Sequence, residues 1–171
     1  MNYCKYYPID VLNGRGTRCT LFVSGCEHHC KGCYNQSTWN TNSGFPFDKD
    51  MEDRVISDLQ DLKIPRRGVS LSGGDPLLPH NLEAVLHLCK RVKSETTKDI
   101  WMWTGYTLEA LSNEQKEVVK YVDVLVDGKF ELDKTRPIVP FRGSYNQRII
   151  EFTSGSVPNG IECVKSNLLG I

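Results

Sequence analysis

The sequence predicts an α/β fold, with a mostly parallel sheet forming a partial (incomplete) β/α barrel. Three observations lead there. Short β-rich runs alternate with segments of helical periodicity, the pattern of repeated β/α units. Three turns bearing cysteine, glycine or aspartate directly follow predicted strands, at the carboxyl ends where such sheets bind ligands. The chain has 171 residues, enough for one domain but short of the about 250 of a closed eight-unit barrel.

The elements follow in order. Cys19–Val23 reads as a strand and runs straight into a cysteine-rich loop. From Asp50 to Lys63 the apolar residues Met51, Val55, Ile56, Leu59 and Leu62 recur at helical spacing. Val69–Leu71 is a short strand closed by Ser72-Gly73-Gly74-Asp75-Pro76. A second helix starts near Asn81, a residue suited to capping it, and buries Leu82, Val85, Leu86, Cys89 and Val92. Ile100–Trp103 forms the next strand, with Trp101 and Trp103 on one face as core residues. Short helical segments through Leu108, Leu111, Val118 and Val119 lead to the strand Asp123–Val126, which Asp127-Gly128-Lys129 ends. A last strand covers Arg148–Phe152. Residues 1–152 make one domain, and the tail 153–171 is expected to be flexible.

Composition narrows the function. Apolar residues at 39% and charged residues at 25% describe a soluble globular chain. Zero formal net charge gives no field toward nucleic acid or a membrane surface, so neither is expected as a partner. No apolar stretch is long enough to span a bilayer, and Met1–Pro8 lacks the apolar core of a signal peptide. The expected location is the cytoplasm. Seven cysteines there are not a disulfide framework. Cys89 sits on an apolar helix face and reads as a small buried side chain.

Cys26, Cys30 and Cys33 crowd into eight residues. Thiolates are soft ligands for zinc or iron–sulfur clusters. Structural zinc sites bring two separated pairs of ligands. No second pair is evident here, and His28 and His29, the histidines such a site would recruit, both fall between the first two cysteines. A ferredoxin would supply a fourth cysteine nearby. The spacing favours an iron–sulfur cluster over zinc, and a [4Fe-4S] cluster held by three cysteines would leave one iron open. The two histidines are read as exposed loop residues, neither ligands nor bases.

The Cys-x3-Cys-x2-Cys loop after a first strand resembles the signature of the radical S-adenosylmethionine superfamily. Asn13-Gly14-Arg15-Gly16-Thr17-Arg18 is similar to the lead-in of glycyl-radical activating enzymes. With Ser72–Pro76, Trp103-Thr104-Gly105-Tyr106, Val126–Phe130 and Arg142–Arg148, the chain resembles the activating proteins of anaerobic ribonucleoside-triphosphate reductases. The resemblance implies reductive cleavage of S-adenosylmethionine and a glycyl radical on the reductase's large catalytic subunit, with an electron donor such as flavodoxin. It implies that the Gly73-Gly74-Asp75 turn takes the cofactor's amino group. The family has Glu at the place of Asp75, so the backbone of Gly73 and Gly74 shares that role. Gly32 stands where many members carry an aromatic residue, so the adenine meets Gly32 backbone or the Tyr34 ring, or else Tyr34 covers the cluster. Asp127 and Lys129 are similar to a pair lying near the cofactor's carboxylate. Two further readings stand beside this one. They are a radical enzyme acting on another glycyl-radical enzyme or a small molecule, and a non-catalytic zinc module.

Overall fold

The computed structural model describes residues 1–137 and 139–152, so the expectation for the tail lies outside the described residues. The strands are β1 (Asn2–Asp10), β2 (Arg18–Val23), β3 (Phe45–Pro46), β4 (Gly68–Gly73), β5 (Asp99–Trp103), β6 (Val124–Asp127) and β7 (Arg148–Glu151). The helices are α1 (Lys49–Gln60), α2 (Leu82–Glu95) and α3 (Asn113–Val119). One seven-stranded sheet runs in the order β3-β1-β2-β4-β5-β6-β7. Its centre, β2-β4-β5-β6, is parallel, and the flanking pairings are antiparallel. The α/β class is therefore as expected. Among the described residues the sheet is open, with β3 and β7 as its edges, and closes no barrel.

Alternation along the central strands sorts the residues onto two faces. Cys19, Leu21, Val23, Val69, Leu71, Ile100, Met102 and Leu125 point to the helices and are fully buried. Val55 and Leu59 of α1, Val85, Leu88, Cys89 and Val92 of α2 and Val118 of α3 close that core. Asp48 caps α1 by accepting from the Met51 amide at 3.0 Å, and Ser112 with Gln115 forms a capping box on α3. α1 stops at Gln60, so Leu62 is not part of its apolar face and stands in solvent. Asn81 precedes α2 without a capping side-chain bond. Its amide donates instead to the carbonyls of Ser24 and Asp75, at 2.9 and 3.0 Å.

The opposite face carries Arg18, Ser70, Trp101, Val124 and Val126. Trp101, Val124 and Val126 form a second buried cluster with Trp103, Phe141 and Ile149. Arg18 is wholly buried under the Trp101 ring, 5.5 Å from its centroid. It donates to Ser70 Oγ and the Val69 carbonyl and pairs with Asp99. A buried guanidinium is stable only when so paired.

Candidate functional site

The face away from the helices opens into a cleft of about 430 Å³. The loop after β2 brings Cys26, Cys30 and Cys33 to its wall, and the turn after β4 brings Gly73, Gly74 and Asp75. Gly128 joins from the turn after β6. The first two strand-end motifs therefore share one cleft, and the third reaches it only through Gly128.

Backbone conformation sets the cysteine loop. Gly25 and Gly32 adopt φ of 98° and 72°, and His29 is left-handed at 46°. The Gly25 and Cys26 amides donate to the carbonyls of Thr38 and Trp39, at 2.7 and 3.0 Å. Cys33 N–H closes a turn onto Cys30 O at 3.1 Å, and Asn35 N–H points at Cys33 Sγ at 3.3 Å. Burial pushes the Cys26 thiol up to about 11, and neighbouring Asp75, Cys30 and Cys33 push the same way. Burial also raises Cys30, opposed by the Phe130 N–H and the Lys129 charge. Metal binding would remove these protons.

His28 departs from its expected exposure. Its side chain is only 6% exposed, and Nε2 lies 2.6 Å from Asp75 Oδ2. His29 packs edge-on against Trp39, with ring centroids 4.8 Å apart. Among the described residues, no three His, Cys, Asp or Glu side chains converge on the position of one metal ion.

The other expected site residues are placed as follows. Gly32 lies beneath Leu132, whose side chain would meet a Cβ there at 2.9 Å, so it is covered from that side. Tyr34 lines the cleft and packs on Phe130 at 5.2 Å. Gly74 passes so close to Gly25 that an added Cβ would stand 2.4 Å from the Gly25 carbonyl oxygen. Asp127 is not brought to the cleft. It is fully buried, accepting from Leu108 N–H and Arg148 Nε, both at 2.8 Å. Lys129 is exposed beyond the cleft wall, on the side of Cys30. Trp101 is core as expected, whereas Trp103 lines the cleft and donates to Phe141 O at 2.8 Å.

The segment Arg142–Arg148 acts as a bracket. Gln147 accepts from Gly143 N–H and donates to Gly128 O at 2.9 Å, and Asn146 donates to Lys129 O at 2.9 Å. Arg142 lines the cleft with its Nε buried and without a hydrogen-bond partner among the described residues. Such a donor is costly unless a ligand satisfies it, and an anionic group fits the need.

Comparison with known proteins agrees with this geometry. Residues 12–150 match the family model described as a 4Fe-4S single cluster domain. The chain is similar to the anaerobic ribonucleoside-triphosphate reductase-activating protein of Vibrio cholerae, 61% identical over 90% of this chain and 99% of that one. The protein of the same name from Escherichia coli K12 is 58% identical over 86% of this chain and 96% of its own. That of enterobacteria phage T4 is 46% identical over 91% and 97%.

The chain belongs to the anaerobic ribonucleoside-triphosphate reductase-activating protein family.

Membership gives the cysteine loop its context, because the matched domain is an iron–sulfur one and spans the whole cleft. Among the described residues no helix is long and apolar enough to cross a membrane. Of the residues that contact Asp75, sequence reading missed His28 as a partner. The signal for it was weak, since its partner lies 47 positions away.

Proposed function

We propose that this chain activates an anaerobic ribonucleoside-triphosphate reductase by generating a glycyl radical on its large catalytic subunit. When bound, a reduced [4Fe-4S] cluster would supply the single electron for reductive cleavage of S-adenosylmethionine to methionine and a 5′-deoxyadenosyl group able to take hydrogen from the glycine. The observation that carries this reading is the presence of Cys26, Cys30 and Cys33 on one cleft wall with the Gly73-Gly74 turn beside them. Three thiolates are one fewer than a cluster closed by four cysteines uses. That leaves room for an outside ligand.

The chain's own residues then divide the work. Cys26, Cys30 and Cys33 would hold the cluster. Gly73 and Gly74 bring bare backbone within reach of the cofactor's amino group. Arg142, whose Nε has no partner among the described residues, suits the carboxylate, and Lys129 adds positive charge from the rim. Tyr34 and Phe130 offer an aromatic wall to the adenine. The open sheet is read as an arc of an incomplete β/α barrel. The side that the described residues leave uncovered admits a loop of the partner. A cytoplasmic electron donor such as flavodoxin reduces the cluster.

The test is anaerobic. The reconstituted protein is reduced and mixed with S-adenosylmethionine and the reductase of the same source. Formation of 5′-deoxyadenosine together with a glycine-centred EPR doublet supports the reading. A cluster-loaded protein that forms neither refutes it.

A further inference from the structure

We propose that Asp75 does not touch the cofactor but, with His28, clasps three strand ends together and so sets the cysteine loop against the Gly73-Gly74 turn. This deepens the reading above and rests on it. Asp75 is only 1% exposed. Its Oδ1 accepts from Leu77 N–H and Thr104 Oγ1, both at 2.9 Å. Its Oδ2 accepts from Gly105 N–H at 2.9 Å and His28 Nε2 at 2.6 Å, with Thr104 Oγ1 also at 3.0 Å. A carboxylate offers about four lone-pair positions. Here four separate donors fill them, and an incoming ammonium group would have to displace one.

Those donors come from different parts of the chain. Leu77 follows β4, Thr104 and Gly105 follow β5, and His28 belongs to the loop after β2. Facing a carboxylate oxygen at 2.6 Å, His28 Nε2 is assigned as the donor of this bond. The histidine is held from its other sides as well. Its ring lies edge-on to Tyr106, 4.5 Å between centroids, and against Gly105, where a Cβ would stand 2.3 Å from Cδ2. Next to it, Glu27 accepts from the Tyr106 hydroxyl at 2.6 Å. The backbone completes the clasp, since Asp75 N–H donates to Gly25 O at 2.7 Å. His28 stands midway between Cys26 and Cys30, so releasing it frees two thiols relative to the turn. His28 and Asp75 are positioning residues, and the cofactor's amino group is left to backbone at Gly73 and Gly74.

The experiment compares the wild type with His28→Gln, His28→Ala, Asp75→Asn and the double variant His28→Ala/Asp75→Asn, each reconstituted anaerobically. Iron and sulfide per chain, S-adenosylmethionine affinity, the EPR spectrum of the reduced cluster with and without that compound, and 5′-deoxyadenosine turnover are measured. His28→Ala is expected to lower turnover about tenfold or more, the usual cost of losing an outer-shell partner. The compound's effect on the EPR spectrum should shrink with it, while its Kd changes by less than about threefold. His28→Gln, whose amide can reach the same oxygen, should restore most of both. Asp75→Asn should match His28→Ala, and the double variant should be no worse than the worse single one.

An affinity lost in Asp75→Asn but kept in His28→Ala would make Asp75 a ligand and overturn the clasp, as would additive losses in the double variant. If Asp75→Asn does not fold, the histidine pair decides. Equal turnover and spectra in wild type, His28→Ala and His28→Gln sink the proposal. A wild type that loads its cluster yet never cleaves the compound fails the functional reading instead, and is recognised because no variant is needed to see it.

Discussion

Asp127→Asn separates two roles for a residue that resemblance places beside the cofactor and the structure places in the core. In the fold, Asp127 is fully buried and takes Leu108 N–H and two nitrogens of Arg148. Asparagine keeps one oxygen for these donors but turns an amide toward the guanidinium. At least one charge-assisted bond is lost, worth about 1.5–3 kcal/mol when buried. Arg148 is not orphaned, because it remains paired with Glu109 at 2.9 and 2.7 Å and is 45% exposed. That moderates the cost to about 2 kcal/mol, below the 3–5 of a pair broken in full burial. With a urea m-value of about 2 kcal/mol/M for a chain of this size, the midpoint should fall by about 1 M. Urea unfolding of the cluster-free protein, followed by tryptophan fluorescence, measures it, and S-adenosylmethionine affinity is read on the loaded protein. An unchanged midpoint with a large loss of affinity would refute the buried-anchor reasoning and return Asp127 to the ligand.

Other perturbations have definite outcomes. Cys26→Ala, Cys30→Ala and Cys33→Ala should each lose bound iron and abolish 5′-deoxyadenosine formation, whereas Cys89→Ala, at a thiol that burial pushes up to about 12, should retain both. Iron analysis and product chromatography decide this, and full cleavage in any of the first three means the ligands are misassigned. Gly74→Ala pushes a methyl to 2.4 Å from the Gly25 carbonyl oxygen, so a loss of about 1–3 kcal/mol and a lower iron content are expected by thermal melt and assay. Hydrogen bonds from Arg148 hold the Glu109 carboxyl at about 2, below its unfolded value of about 4.3. Its stabilisation is therefore complete above the unfolded value and is lost as pH falls toward the folded one. Because Glu109 is 64% exposed, Glu109→Gln should cost no more than about 1 kcal/mol at neutral pH, and the gap to wild type should close between about pH 4.3 and 2.

Much of the fold could be read from the sequence because its signals are local. The helical periods of α1 and α2 and the apolar runs of β2, β4, β5 and β6 are nearest-neighbour patterns that survive into the structure. β1 left no such trace. None of its residues is fully buried, its exposed face carries the apolar Tyr7 and Ile9, it includes Pro8, and its place is fixed by pairing with β2 and β3. The cysteine loop was equally plain, since its spacing is written within eight residues. His28 was not, because burial of a loop histidine depends on a distant carboxylate. For Asp127 a signal existed. In a strand, residues two apart share a face. Asp127 therefore follows Leu125 toward the helices, while Val124 and Val126 join Trp101 on the cleft side.

The thiols and the rest of the cleft are assembled on different scales of chain separation. Cys26, Cys30 and Cys33 are neighbours in sequence and are carried by one loop. The remaining wall waits for β4, β5 and β6 to pair, since it draws on Gly73, Gly74, Thr104 and Gly128. A substitution in β5 or β6 can thus reshape the far wall while the three thiols stay adjacent, so iron content and cleft shape answer to different parts of the chain.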